Sequence, residues 1–374
     1  MTSERIRILF FLPTLVAGGA ERVVLTIIRN LSREKFDISL AVLNRLGDAL
    51  SQDLSPDIDL IDLKQKRVRS SLPSIARFVR SHKPDIVFST LDYFSLALAI
   101  TRRFWPSHTK FVARPTILLS AALAGRRIPR LWQGATKAAL SVADQIVFQS
   151  PEMQDDYTTC LKWRRKSGVV IRNPIDLFHL RKCAADPSDE AELAPAAFNL
   201  VSAGRLEAQK GFDVAIEAIK LAKHREINLT ILGAGQLRME LEQHACRMQV
   251  QHRVHFAGYR SNVYNFFSQA DGFLLSSRFE GFPNVVIEAL ACGTPVVATP
   301  VSGLESLFAQ LPQCRLARDF TAVALAEAID QFAQAGRRRV SPDAVGAFEL
   351  QTIIAQYERM FIDTHLGKLR DSSG

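Results

Sequence analysis

No apolar run in this 374-residue chain approaches the roughly 18 residues that suggest a membrane-crossing helix. Cysteine is sparse: Cys160, Cys183, Cys246, Cys292 and Cys314 are scattered, odd in number and without a Cys-x-x-Cys pair. That argues against a disulfide framework and a zinc site, and favours a reducing compartment. The eight histidines show no metal spacing. His252 and His255 stand three apart in a strand-like run, where they face opposite sides. Asp57-Ile58-Asp59 imitates an Asp-x-Asp metal pair but opens an early strand, away from the candidate site. The phosphate-binding Gly-x-x-x-x-Gly-Lys-Ser/Thr loop and the Gly-x-Ser-x-Gly nucleophile turn are both missing. Met-Thr-Ser-Glu-Arg runs straight into a strand-like segment with no signal-peptide pattern, so a cytoplasmic protein is expected. There is no short-period repeat and no low-complexity tract.

What is present is an uneven charge. Residues 1–180 hold 27 Lys and Arg against 16 Asp and Glu, a balance of +11, while residues 181–374 hold 20 against 22, a balance of −2. The first half therefore suits an anionic partner: nucleic acid, anionic lipid or a phosphorylated acceptor. A solvated basic face is the plain alternative.

Short apolar runs rich in Val, Ile and Phe alternate with helical patterns. In the first half they fall at Ile6–Leu12, Ile38–Leu43, Ile58–Leu63, Ile86–Ser89, Phe111–Ala113, Gln145–Gln149 and Gly168–Ile171. Continuous apolar strands separated by helices imply a parallel sheet covered on both faces. Helices are expected between them, at Ala20–Leu31 and Leu72–Ser81 for example. A polar, period-free stretch with two prolines follows, and residues 179–196 are read as a linker. The alternation restarts at Asn199–Ser202, Leu229–Leu232, Val254–Phe256, Gly272–Ser276 and Pro295–Ala298. The expectation is an α/β chain of two Rossmann-like doubly wound domains, 1–178 and 197–349, with a central cleft. Leu350–His365 has a helical pattern.

The most informative stretch runs from Ser276 through Glu280-Gly281-Phe282-Pro283-Asn284 to Glu288. Two carboxylates stand eight positions apart around a Gly-Phe-Pro turn, one on the loop after a strand, the other inside the next helix. Pro283 suits a helix start, though it has no N–H to give, and Gly293 suits the exit. A loop carboxylate, free N–H groups at a helix start and a second carboxylate two turns on fit a polyhydroxylated, phosphorylated ligand. This segment resembles the Glu-x7-Glu motif of retaining glycosyltransferases of family 4, with the GT-B fold. Gly204-Arg205-Leu206 through Lys210-Gly211 resembles the family segment whose Arg and Lys hold the donor diphosphate. Arg offers a planar fork and Lys a point charge, so the pair can clamp a diphosphate. Pro13 through Gly18-Gly19-Ala20-Glu21-Arg22 resembles the family's glycine loop after the first strand, where paired glycines let a ligand approach the backbone.

The resemblance covers nearly the whole chain and implies a set of roles. Arg205, Lys210 and Glu280 take the catalytic ones. Gly18, Gly19, Gly235, Arg260, Gly281, Phe282, Pro283, Asn284 and Glu288 line the donor, with Glu288 accepting from the ribose hydroxyls. Glu21, Asp92 and Arg114 fall on the acceptor or sugar side. Many family members have a histidine near Arg114, and this chain does not. Gly233-Ala234-Gly235 lacks the third glycine of a dinucleotide fingerprint, since Arg238 stands there, and reads as a tight turn.

The expected activity is that of a retaining hexosyltransferase moving a sugar from a nucleotide diphosphate, UDP foremost, to a polyprenyl-diphosphate-linked saccharide in bacterial surface glycan assembly. No cofactor and no metal are expected, because Arg205 and Lys210 can neutralise the leaving diphosphate. The resemblance also implies that the C-terminal helix, residues 350–374, crosses back onto the first domain. Ile117 to Leu140 interleaves apolar residues with Arg126, Arg127, Arg130, Trp132 and Lys137 and fits an anionic membrane surface, as does the tract Lys162 to Lys166. A peripheral position on the inner membrane's cytoplasmic face follows. Nucleic acid is not expected, for lack of aromatic-basic binding modules. A GT-B sugar-nucleotide epimerase and a non-catalytic partner subunit stay open as alternatives.

Overall fold

The computed structural model describes residues 5–16, 18–163, 168–186, 193–194, 197–224 and 226–368. They form two compact units, one up to Pro174 plus the residues from Leu350 on, the other Ile175–Glu349.

The first unit is built on seven parallel strands: β1 (Ile6–Leu12), β2 (Phe36–Val42), β3 (Asp59–Asp62), β4 (Ile86–Thr90), β5 (Lys110–Arg114), β6 (Gln145–Phe148) and β7 (Val169–Val170), in the order β3-β2-β1-β4-β5-β6-β7. Alternation along a strand explains the two cores. Ile8, Phe10 and Leu12 of β1 point into one apolar cluster, Leu9 and Phe11 into another on the opposite face. The first cluster is completed from the far end of the chain. Helix Leu350–His365 buries Ile353, Ile354, Tyr357, Met360 and Phe361 at three- and four-residue spacing. The Phe361 ring meets Phe10, Phe36 and Phe88 at centroid distances of 6.0, 6.1 and 5.8 Å. Glu358 fixes the outer edge, accepting from Ser32 N at 2.9 Å and pairing with Lys35 at 2.6 Å.

The second unit repeats the plan with six parallel strands: β8 (Phe198–Ala203), β9 (Ile227–Leu232), β10 (Val254–Gly258), β11 (Gly272–Leu275), β12 (Val296–Ala298) and β13 (Arg315–Leu316), in the order β10-β9-β8-β11-β12-β13. Leu200 and Leu274 face one core, Val201, Phe273 and Leu275 the other. The two-residue β13 has no sequence signature and escaped the apolar-run reading.

The expected linker starts inside a helix, Leu177–Ala184, opened by the Asp176 carboxylate accepting from His179 N at 2.8 Å. Its Leu177 and Leu180 enter the second unit's core, which is why the chain turns regular there. The rest of that stretch lies largely outside the described residues, as does most of the Lys162–Lys166 tract. His252 sits in a turn and only His255 on a strand. Among the described residues no helix is long and apolar enough to cross a membrane.

Candidate functional site

Both sheets change winding direction once, between β1 and β4 in the first unit and between β8 and β11 in the second. Open α/β sheets bind ligands at the carboxyl ends of the strands flanking that reversal. Gly18, Gly19, Glu21 and Asp92 of the first unit and Arg205, Lys210 and Glu280 of the second follow those strands, whereas Arg114 ends another strand and Gly235 and Arg260 follow others.

In the second unit, the loop after β8 carries Gly204, Arg205 and Lys210, and the loop after β11 carries Ser276 to Pro283. The Lys210 ammonium lies 2.7 Å from Glu280 Oε1, and the Glu280 side chain is only 10% exposed. Ser277 Oγ donates to the same oxygen at 2.7 Å. Gln209 Nε2 donates to Glu280 Oε2 at 3.4 Å and to the Phe279 carbonyl at 3.1 Å. A buried carboxylate needs such partners, and here three different side chains supply them. Thr299, at the end of β12, donates through Oγ1 to the Ser277 carbonyl at 2.7 Å and steadies the loop from behind.

The two loops are bound to each other through backbone. Ser276 Oγ donates to the Lys210 carbonyl at 2.8 Å, and Arg278 N to the Gln209 carbonyl at 2.8 Å. Arg278 also forks onto Asp213, at 2.9 and 2.5 Å. Burial alone would raise the Asp213 carboxyl; the Arg278 hydrogen bonds and charge hold it below the usual range. Glycine permits the close approach. At Gly211, φ is +62° and a Cβ would sit 2.1 Å from the Ser276 carbonyl oxygen; at Gly233, φ is +144° and the clash would be with the Gly204 oxygen at 1.9 Å.

The remaining second-unit candidates separate. Gly235 packs its backbone against Leu206, where a Cβ would meet the Leu206 oxygen at 2.5 Å. Arg205 faces solvent, its side chain 61% exposed and paired with Glu207 at 3.1 Å, apart from the Lys210–Glu280 pair. Gly281, Phe282 and Pro283 are buried, and Phe282 stacks on Phe348 at 5.4 Å. Asn284 opens helix Asn284–Ala291, and Glu288 lies half-buried within it. Arg260 is exposed, its guanidinium 5.7 Å from the Phe266 ring centre.

In the first unit, Gly18 and Gly19 lie at the start of helix Gly19–Asn30 after β1. Glu21 is the third residue of that helix, where a carboxylate favours the helix's positive end. It folds back over Gly18, where a Cβ would come 2.2 Å from Glu21 Oε2, whereas a Cβ on Gly19 would meet nothing within 4 Å. Asp92 opens helix Asp92–Thr101 after β4. Next to it, Tyr93 is 49% exposed, and burial together with the Glu21 carboxylate pushes its phenol above the usual value. Leu91, between β4 and this helix, has φ +74°, rare for a side-chain-bearing residue and most frequent near functional sites. Arg114, at the end of β5, is 1% exposed and hydrogen-bonded to Thr90, Asn173 and Tyr357.

Sequence reasoning passed over Ser277, Gln209 and Tyr93. Ser277 lies inside the quoted two-glutamate segment and Gln209 next to Lys210, so proximity to the motif was the available signal. Tyr93 carried none.

A doubly wound parallel sheet repeated in two units, each with polar loops at its reversal, is the architecture of the GT-B fold. Two family models match the chain, "Glycosyltransferase Family 4" over residues 17–178 and "Glycosyl transferases group 1" over residues 189–344. The chain belongs to this family of GT-B glycosyltransferases. It is 26% identical over 323 residues to the N-acetylgalactosamine-N,N'-diacetylbacillosaminyl-diphospho-undecaprenol 4-alpha-N-acetylgalactosaminyltransferase of Campylobacter jejuni, covering 80% of this chain and 82% of that protein. To the lipopolysaccharide core biosynthesis glycosyltransferase LpsD of Rhizobium meliloti it is 27% identical over 293 residues, covering 76% of each. The fold matches that of Anabaena Alr3699/HepE, solved in complex with UDP, with a TM-score of 0.78 at 19% identity over 96% of this chain and 100% of that one.

Proposed function

We propose that this glycosyltransferase moves a hexose-type sugar from a UDP-sugar to a saccharide carried on a polyprenyl diphosphate, with retention at the anomeric carbon, in the assembly of a bacterial surface glycan. The observation that carries the reading is the Lys210–Glu280 pair at the reversal of the second sheet, 2.7 Å apart and oriented by Ser277 and Gln209. A fixed ammonium on a loop that also bears an exposed guanidinium, Arg205, suits a departing diphosphate. Glu280 then faces the sugar and Glu288 the ribose, with Gly235, Arg260 and residues 281–284 around the nucleotide. Gly18, Gly19, Glu21 and Asp92 serve the first unit's share of the reaction.

In this reading the bond between the sugar's anomeric carbon and the phosphate oxygen breaks. The acceptor oxygen bonds the same carbon from the same face. The acceptor's proton passes to the departing phosphate oxygen. Arg205 and Lys210 supply the positive charge, so neither metal nor cofactor enters. A chelator that lowers the rate would overturn that part. Support for the acceptor comes from the diphospho-undecaprenol in the Campylobacter relative's name, and for the donor from the UDP held by the Anabaena protein.

Support for a membrane surface comes from residues 124–131, all exposed, where Ile128 and Leu131 are 58% and 64% exposed among Arg126, Arg127 and Arg130. Apolar contacts flanked by cations suit an anionic lipid interface. Replacing the three arginines with glutamine should lower binding to phosphatidylglycerol vesicles at least tenfold and leave UDP binding unchanged. Equal binding by both proteins would remove the surface from the proposal.

The donor assignment is tested by thermal shift with UDP, GDP, ADP and NAD. A ligand at about 100 times its Kd stabilises by about 2.7 kcal/mol. A UDP-selective shift lost in Glu288→Ala is expected. A GDP shift would change the donor, and a response to NAD alone would sink the reading.

A further inference from the structure

We propose that Arg114 is a positioning residue that ties together the two segments by which the chain leaves and re-enters the first unit. The first unit ends outbound at Pro174 and resumes at Leu350. Arg114 reaches both. Its Nη2 donates to Asn173 Oδ1, one residue before that end. Its Nε donates to Tyr357 Oη at 3.1 Å, on the returning helix Leu350–His365. Its Nη1 donates to Thr90 Oγ1 at 3.3 Å, at the end of the neighbouring strand β4. These partners lie 59, 243 and 24 residues away in sequence. Asn173 carries the chain of bonds on, donating to Gln149 Oε1 at 3.3 Å, while Gln149 donates to the Pro115 carbonyl at 2.9 Å. Beyond the first unit, the outbound and returning segments stay paired, with Ile175 N donating to the Phe348 carbonyl at 2.9 Å.

The chemistry explains why the residue is an arginine. Arg114 is 1% exposed, and its three partners are a hydroxyl, a phenol and an amide, with no carboxylate among them. Burying a guanidinium carries a large desolvation cost, which a methionine of similar length would avoid. What methionine lacks is a rigid planar fork of five donors, able to reach three separate segments at once. Lysine's three N–H donors all radiate from one nitrogen and cannot span these segments either. The sequence reading placed Arg114 on the acceptor or sugar side; its burial and its three partners give it a role in the chain connections as well.

Hydrogen exchange on the full chain tests this, with Arg114→Met, Arg114→Lys, Tyr357→Phe and the Arg114→Met/Tyr357→Phe pair. The amides of Arg172, Asn173 and Ile175 and those in the first two turns of Leu350–His365 should exchange at least tenfold faster in Arg114→Met, while those of β1 and β2 stay within twofold. Arg114→Lys should fail to rescue, and the double variant should add little to the single one. Tyr357→Phe removes one hydroxyl only. Should Arg114→Met fail to fold, Tyr357→Phe must still speed exchange in the same two segments severalfold. A uniform rise across the first unit would overturn the proposal in favour of general stability. Unchanged exchange with weakened binding of UDP or pyrophosphate would overturn it in favour of a ligand contact. Neither readout depends on the identity of the sugar or the acceptor.

Discussion

The two units share one sheet order but crown its reversal differently. In the second, a half-buried lysine pairs with a buried glutamate, and glycine-mediated backbone contacts lock the loops that carry them. In the first, the same place holds an open glycine loop, Glu21 and a half-exposed Tyr93, while the buried cation Arg114 stands one strand further along. Topology thus decides where a site forms; the side chains on the crossover loops decide what it can do.

The comparison breaks most visibly at the C-terminus. A chain ending at Glu349 loses Ile353, Ile354, Tyr357, Met360 and Phe361 from the first unit's core and nothing from the second's. At about 1.5–3 kcal/mol per buried side chain, that matches a whole domain's stability. Urea unfolding of this truncation should show the second unit's transition alone, whereas loss of both transitions would mean the units do not fold separately.

Lys210→Ala should lower kcat/KM by about 10²–10³ if the ammonium stabilises a departing diphosphate. It also strands the Glu280 carboxylate and costs stability, by about 3 kcal/mol for a well-buried pair. Adding Glu280→Gln removes that stranded charge, so the double variant should recover melting temperature without recovering activity. Recovery of both would make the pair structural only.

Glycine substitutions sharpen the contrast further. Gly233→Ala in the second unit should destabilise by about 1–3 kcal/mol, from its φ of +144° and the clash with the Gly204 oxygen. Gly19→Ala in the first should change stability by less than about 1 kcal/mol, since nothing lies within reach of its Cβ. An activity loss at Gly19 without a stability loss, read by kinetics beside calorimetry, would mark the open loop as a ligand surface.

The smallest effect is a matter of pH. Asp213 is held below its ordinary value of 3.8 in the folded state, so its pairing with Arg278 stabilises above the unfolded value and is lost as pH falls through the folded one. Both side chains are about two-fifths exposed, which limits the contribution to under about 1 kcal/mol. The urea midpoint of Arg278→Ala should lie below that of the native chain at pH 7, and the gap should narrow as pH falls below 3.8, leaving the share that comes from the Arg278 bond to the Ala208 carbonyl.

Much of this was legible in sequence because it is local. Runs such as Ile6–Leu12 and Leu229–Leu232 are short and mostly apolar on both faces, as interior strands are. The pairing of Pro283 with Gly293 framed the helix bearing Glu288, and Leu350–His365 was bounded correctly by its period alone. The strand β13 was missed because two residues carry no period. The helix Leu177–Ala184 was missed because its flanks are polar and its two leucines count only once a core lies beneath them. Motif spacing singled out Lys210 and Glu280, yet Ser277 and Gln209 entered only through contacts made across 71 residues or within a loop's fold.

The sequence by itself determined the alternation of strands and helices, the basic first half and the identity of the charged residues on the crossover loops, since each is a property of neighbours along the chain. Tertiary structure alone decided the strand order, which brings β8 beside β11 and so Lys210 to Glu280. It also decided the fate of Arg114, because burial and the choice among hydrogen-bond partners depend on segments as distant as Tyr357, and no local pattern encodes them.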